Sequence, residues 1–180
     1  LGGFKHRFST GDELAQLLRS VARIQRVHGS LGARFAALIE PDEETVVPAL
    51  GRFAADLRGD LWCGPSSVLP EPEKGSACKR LHLFLRWMVR RDEVDPGGWD
   101  EVPASRLVVP LDTHMHRISR TLGFTSRAQA DIRTALEVTR AFRTFAPEDP
   151  VKYDFALTRL GIRNDVTMES VLSGAVKEMA

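Results

Sequence analysis

The sequence predicts an all-α protein, because apolar residues recur at helical spacing in most segments and runs of alternating polar and apolar residues are nearly absent. Of its 180 residues, 43% are hydrophobic and 27% are charged, a composition typical of a globular chain with a real core. The sequence has no run of about 18 apolar residues, so no membrane-spanning helix is expected. Cys63 and Cys78 are too few for a disulfide framework or a four-cysteine metal or iron–sulfur site, which makes the cytoplasm the expected compartment.

Three helices are predicted before residue 60. In the first, over 12–27, leucine, valine and isoleucine recur at helical spacing, and Ser9, Thr10 or Gly11 is placed to cap it. A shorter helix follows over 31–39, and another over 43–57 that Pro48 should break or restart.

The rest of the chain begins with a loop rich in proline, glycine and serine over 62–76, followed by a strongly apolar helix that begins at Ser76. The other predicted helices span 113–122, 128–145, 149–160 and 168–179. We therefore expect three parts: an N-terminal helical part over 1–61, a hairpin or loop over 62–76, and a helical part over 77–180.

Lys79 and Asp112 are the main indication of function. Each is expected at the start of a helix, and the loop that ends at Ser76 leads directly into the helix of Lys79. The first N–H groups of a helix lack partners and its dipole is positive there, so such a terminus binds phosphate. An amine attacks carbon and a carboxylate stabilises the resulting cation, so the two side chains together could support imine chemistry.

Asp112 also fits a purely structural role. It follows Pro110 and precedes Thr113, which is a sound N-cap position worth about 1 kcal/mol. A capping carboxylate is held rigidly and kept ionised, as an oxocarbenium-like sugar cation would require. The capping and catalytic interpretations are therefore compatible.

The segment DTHMH allows a different hypothesis, a metal-dependent hydrolase that uses Asp112, His114 and His116. Three facts oppose it. No histidine follows His116 to complete a metal site, the chain is short for a (β/α)₈ barrel, and residues at i and i+2 of a helix do not share a face.

Charge is concentrated in the middle of the chain. The net charge of +1 gives no overall signature of nucleic-acid binding, but residues 78–143 carry 12 basic and 8 acidic side chains. This excess is compatible with a phosphate-binding surface and also with an ordinary mixed, solvated one.

The segment VVPLDTHMHRISRTLGF resembles the aspartate segment of the helix-hairpin-helix DNA glycosylases of the endonuclease III superfamily. The resemblance implies a two-lobed helical fold in which Asp112 is catalytic and Lys79 forms a Schiff base. The hairpin, VLPEPEKGSACKR, departs from the usual form and is similar to that of archaeal 8-oxoguanine DNA glycosylase. The residues that the resemblance implies in DNA binding are Gly75, Ser76, Arg80, His114, Arg117 and Arg120.

The resemblance that covers most of the chain is to an uncharacterised, DUF2400-like bacterial family. It is carried by GSACKR, FLRWMVR, PLDTHMHRISR and DPVKYDFALTRLGI. Members of that family extend further at the N-terminus, so an N-terminal part of the fold is expected to be missing from this sequence. The family resemblance implies neither an iron–sulfur cluster nor any other cofactor or metal.

A base pocket is implied by KYDFALTRLGI. Asp154 matches an aspartate that reads the base in the archaeal enzymes, but Thr158 stands where those enzymes have a stacking tryptophan. The stacking ring must then come from elsewhere, with Trp87, Tyr153 and Phe155 as the chosen candidates. The other aromatic residues considered are Trp62 and Trp99.

The resemblance implies a DNA repair glycosylase with AP lyase activity that excises an oxidised purine, with 8-oxoguanine favoured. The expected partner is double-stranded DNA with a damaged base, bound by a monomer in the cytoplasm at the nucleoid, with no membrane involved. A catalytically silent helix-hairpin-helix DNA-binding module and the metal hydrolase remain the alternatives.

Overall fold

A computed structural model describes residues 3–6, 9–59 and 69–162. These residues form seven α-helices and one antiparallel pair of two-residue strands, in which Lys5 lies opposite Thr10, so the all-α prediction is confirmed. The elements are β1 Lys5–His6, β2 Ser9–Thr10, α1 Gly11–His28, α2 Leu31–Ala36, α3 Val47–Arg58, α4 Lys79–Val89, α5 Thr113–Thr121, α6 Ile132–Arg143 and α7 Asp154–Ile162. No helix among the described residues is long and apolar enough to cross a membrane. The helix predicted over 168–179 lies outside the described residues, as do residues 62–68 of the predicted loop.

Helix α1 begins with a capping box. The Glu13 N–H donates to the Thr10 hydroxyl (3.2 Å), and the Glu13 carboxylate accepts from the Thr10 N–H (2.8 Å). Two backbone N–H groups at the helix start, which have no partner within the helix, thereby gain a hydrogen bond. Of the three predicted caps, Thr10 is therefore the residue that caps the helix.

Helix α3 corrects the prediction over 43–57. Pro48 lies in its first turn instead of interrupting it, because a proline there removes an N–H that has no partner in the helix anyway. Residues before Val47 form bends. The helix ends at Gly59, whose φ of 52° is in the left-handed region.

Three later helices begin after their predicted starts. Helix α4 starts at Lys79 and not at Ser76, and α6 starts only after Asp131, whose side chain caps it. The predicted start of α7 at residue 149 is wrong, because the segment before Asp154 folds as turns in which the Asp154 N–H donates to the Val151 carbonyl (3.2 Å).

One hydrophobic core joins residues from the 1–61 part to residues from the 77–180 part. Trp99 lies in this core, with ring centroids 5.6 Å from Phe35, 6.3 Å from Phe53 and 5.4 Å from Phe84. The ring is 7% exposed, so Trp99 is a core residue and not a stacking surface for a base. The boundaries of the three predicted parts stay a prediction.

Candidate active site at the starts of two helices

Lys79 and Asp112 lie together in the structure. Lys79 is the first residue of α4, and Asp112 is the N-cap of α5. The Lys79 Nζ is 3.1 Å from Asp112 Oδ2, with the lysine side chain 44% exposed and the aspartate side chain 18% exposed. An amine that solvent can reach is thus paired with a carboxylate that is mostly shielded from it.

The two oxygens of Asp112 have different partners. Oδ1 accepts the Met115 N–H at 2.8 Å, which is the cap, while Oδ2 faces Lys79. Burial by itself would raise the pKa of Asp112, but the Met115 amide and the Lys79 ammonium outweigh it and hold that pKa below its usual 3.8. The carboxylate is therefore an anion at neutral pH, and it caps the helix while it contacts Lys79.

The backbone just before α4 contains two residues with a positive φ angle. Gly75 has φ of 86° at the end of a 3-10 turn, and Cys78, just before Lys79, has φ of 45°. A left-handed conformation costs a non-glycine residue roughly 1–2 kcal/mol, so the surroundings must hold it. The Cys78 N–H donates to the Ser76 hydroxyl (3.2 Å), and the Gly75 carbonyl accepts the Ile132 N–H (3.2 Å). Burial raises the pKa of the Cys78 thiol, which keeps it protonated.

A pocket of about 430 Å³ opens beside the ion pair. Lys79 and Asp112 line it together with Asp154, Trp87 and Phe155. Five residues that the sequence singled out, from three separate segments, thus line one cavity. Helix α5 packs on α7, and this contact brings Asp112 near the start of the helix that carries Asp154.

The aromatic candidates divide into two groups. Trp87 and Phe155 line the pocket, and both are among the exposed large apolar side chains of the described residues. Tyr153 does not line it and instead lies beside Lys152, whose Nζ is 5.8 Å from the ring centroid, and its assignment to a base pocket stays a prediction. Trp62 lies outside the described residues.

Asp154 is held at the pocket by a buried arginine that the sequence interpretation missed. The Arg86 Nη1 donates to Asp154 Oδ2 at 2.6 Å, and the two side chains are 2% and 5% exposed. Burial raises the pKa of Asp154, although the Arg86 charge opposes that rise. A signal was present, because Arg86 lies within the buried stripe of α4, where an unpaired charge would be costly.

The predicted DNA-binding residues lie on the surface around these helices. Five of them, Gly75, Ser76, Arg80, Arg117 and Arg120, are exposed, and His114 is partly exposed. His114 is one of the smaller electrostatic influences that lower the pKa of Asp112. Arg117 and Arg120 line a second, open depression of about 570 Å³ on α5 and the turn after it.

The structure does not support a metal site formed by Asp112, His114 and His116. The His116 Nε2 is 3.0 Å from the Arg127 carbonyl oxygen, so this nitrogen is protonated and donates. Asp112 is engaged with Lys79 and Met115. Within the described ranges, no three histidine, cysteine, aspartate or glutamate side chains are grouped so that they could hold a metal ion.

Comparison with known proteins identifies a family and no function. No curated protein and no solved structure matches this chain. The resemblance to helix-hairpin-helix glycosylases thus stays a prediction. One family model, described as "Protein of unknown function (DUF2400)", matches residues 1–163. The match covers well over half of the sequence, and the chain therefore belongs to the DUF2400 family.

Proposed function

We propose that this protein is a DNA glycosylase with AP lyase activity that removes an oxidised purine. The observation that carries the proposal is the Lys79–Asp112 pair at a pocket with exposed aromatic walls. A flipped base needs such walls on which to stack, and its sugar needs a nucleophile at the edge of the pocket. The helix-hairpin-helix, two-lobed form of the fold belongs to the same proposal.

In the proposed reaction the Lys79 ammonium first loses a proton to solvent, and the neutral amine then attacks C1′ of the sugar while the bond from C1′ to the base breaks. The base leaves with the bonding electron pair and takes up a proton. Asp112 stabilises the positive charge that develops on the sugar and accepts a proton from the lysine as the new C–N bond forms. Opening of the sugar ring then produces a protonated imine, with O4′ taking a proton. Loss of a C2′ proton and breakage of the C3′–O bond release the 3′ phosphate.

The pocket is suited to a purine. Trp87 and Phe155 offer the aromatic surfaces, and Asp154 offers a carboxylate that accepts N–H groups from the base. Thr158 also lines the pocket, at the position where the archaeal enzymes have a stacking tryptophan. In this proposal the rings of Trp87 and Phe155 take the place of that tryptophan. We favour 8-oxoguanine, because its N7 carries an N–H donor that guanine lacks.

Duplex DNA would be bound mainly through its phosphates. The exposed residues Gly75 and Ser76 precede α4, and the exposed arginines of the proposed interface are Arg80, Arg117 and Arg120. Amides and arginines are the usual phosphate donors, and they position DNA without reading its sequence. His114, next to the Asp112 cap, belongs to the same proposed surface, and binding at the nucleoid would follow.

The direct test is covalent trapping. Borohydride reduces an imine, so wild-type protein incubated with abasic duplex should become crosslinked, whereas Lys79→Gln should bind DNA without crosslinking. Lys74→Gln is the matched control, because Lys74 is an exposed lysine in the turn before α4, where it pairs with Glu71 (2.8 Å). That control should crosslink like wild type.

Other outcomes would separate the alternatives. If Lys79→Gln crosslinks undiminished, the assignment of the nucleophile is wrong. If wild-type protein binds duplex without crosslinking or excising any base, the silent DNA-binding module is the better description. Stoichiometric zinc in the purified protein would favour the metal-dependent hydrolase instead.

A further inference from the structure

A buried network of charges extends inward from Arg86, which itself lines the pocket. Arg86 donates twice to Asp95, from Nε to Oδ2 (3.1 Å) and from Nη2 to Oδ1 (3.0 Å). Its third bond is the 2.6 Å contact from Nη1 to Asp154 Oδ2. Asp95 is fully buried, and it does not line the pocket. The planar guanidinium thus joins an aspartate inside the protein to an aspartate at the pocket.

The loop that carries Asp95 is itself fixed. Asp92 Oδ1 accepts the N–H groups of Val94 and Asp95, both at 2.8 Å, which shapes the turn and directs the chain inward. Arg90 also binds Asp95, and its Nε donates to Asp149 Oδ2 at 2.8 Å. The network therefore connects α4, the loop after it and the segment that leads into α7.

The contacts leave one oxygen of Asp154 for a ligand. Oδ2 accepts the short bond from Arg86, while Oδ1 accepts a long 3.4 Å bond from the Thr158 hydroxyl. The guanidinium carbon of Arg86 also lies 5.8 Å from the centroid of the Phe155 ring, which is a wall of the same pocket. Arg86 thus contacts both a polar group and an aromatic group that a base would meet.

We propose that Arg86, oriented by Asp95, is a positioning residue that sets Asp154 and Phe155 for selection of the base. The inference rests on the proposed function and adds to it that different residues act on the sugar and on the base. Lys79 and Asp112 act on the sugar, whereas the Arg86–Asp95 pair acts on the base only. Damage to the pair therefore affects removal of a base, and it spares the reaction of a site from which the base is already missing.

The test compares two duplexes, one with 8-oxoguanine and one with an abasic site at the same position. Arg86→Lys keeps the buried positive charge but lacks the planar fork that reaches two carboxylates. Excision of 8-oxoguanine by this variant should fall at least tenfold, while borohydride crosslinking to the abasic duplex should stay within twofold of wild type. Asp95→Asn, which keeps the shape of a side chain outside the pocket, should show the same separation.

Arg90→Lys is the matched control, because Arg90 shares Asp95 but does not contact Asp154 in the described structure. It should lose thermal stability and keep the wild-type ratio of excision to crosslinking. If Arg86→Lys does not fold, Asp95→Asn decides the matter.

Three results would overturn the inference. The first is that excision and crosslinking fall together in Arg86→Lys and Asp95→Asn, which would mean that the pair has only a structural role. The second is that neither excision nor crosslinking changes in these two variants. Wild-type protein could also crosslink to abasic DNA without excising 8-oxoguanine, which would leave the role of Lys79 intact. Wild-type protein that fails to crosslink at all would instead remove the proposed function, so the two failures are distinguishable.

Discussion

Asp112 serves two purposes with one side chain, and a single substitution can separate them. Its Oδ1 accepts the Met115 N–H, and its Oδ2 lies 3.1 Å from the Lys79 ammonium. Asparagine is also a good N-cap, because its side-chain oxygen accepts the same bond. It carries no charge, however, and cannot stabilise a sugar cation.

We predict that Asp112→Asn slows excision of the preferred base about 100-fold, which is roughly 2.7 kcal/mol in barrier. The free energy of unfolding should change by less than about 1 kcal/mol, because the lost ion pair is partly exposed and screened. Single-turnover excision and urea denaturation measure the two quantities. An excision rate within about threefold of wild type, under roughly 1 kcal/mol, would reduce Asp112 to a cap.

His82 is a second residue whose environment has a measurable consequence. It is fully buried in α4, and neither ring nitrogen has a hydrogen-bond partner among the described residues. Burial lowers the pKa of His82 from 6.5 to about 4, because the charged ring would lose its hydration. The unfolded chain therefore binds a proton more tightly than the folded one between these two pH values.

The sign of the pH effect follows from this lowered pKa. The contribution of His82 to stability is complete above pH 6.5 and is lost as the pH falls toward 4, by about 3 kcal/mol in total. We predict that His82→Leu flattens the decline in unfolding free energy over this range, measured by urea denaturation at several pH values. His28→Gln, at the exposed end of α1, is the control, and an unchanged decline in His82→Leu would show that another group titrates.

At the scale of elements, α2 approaches the core more closely than a larger residue would allow. A Cβ added to Gly32 would lie 2.8 Å from Cδ1 and 3.0 Å from Cγ of the Trp99 ring. That ring cannot easily retreat, because Phe35, Phe53 and Phe84 surround it. The missing side chain at Gly32 is what permits α2 to pack against Trp99.

We predict that Gly32→Ala destabilises the protein. Overpacking costs about 1–3 kcal/mol, which should exceed the gain of about 1 kcal/mol from the better helix propensity of alanine. Ala33→Ser, one residue along on the exposed side of the helix, should change the unfolding free energy by less than about 0.5 kcal/mol. Greater stability of Gly32→Ala than of wild type in urea would mean that the Trp99 ring moves freely.

At the scale of the whole molecule, the distribution of charge determines where DNA would bind. The net charge is only +1, so the proposed binding of DNA requires local positive groups, such as those of the depression lined by Arg117 and Arg120. Each phosphate that an arginine neutralises contributes about −0.9 to the slope of log affinity against log salt.

We predict that Arg120→Gln weakens duplex binding and reduces the magnitude of this slope by about 1, because one phosphate contact is lost. The slope is measured by fluorescence anisotropy at several salt concentrations. Arg26→Gln serves as the control, since it removes an exposed arginine from α1, which packs on α2 and α3. Equal slopes for wild type and Arg120→Gln would remove Arg120 from the interface.

The sequence by itself determined the helical class, the approximate extent of α1 and α5, and the positions of Lys79 and Asp112 at helix starts. These features depend on interactions between residues three or four apart, such as the bond between Asp112 and the Met115 N–H. The starts of α6 and α7 lie several residues after the predicted ones, although Asp131 caps α6 in the same way.

The tertiary structure alone decided which side chains meet. Arg86 and Asp154 are 68 residues apart, and Trp87 and Trp99 look alike in the sequence although only Trp87 lines the pocket. Helical periodicity shows that a residue is buried but not what it is buried against. Contacts between distant segments depend on how helices pack, and this is why the 3.1 Å distance between Lys79 and Asp112 could be hypothesised from the sequence but required the fold to be observed.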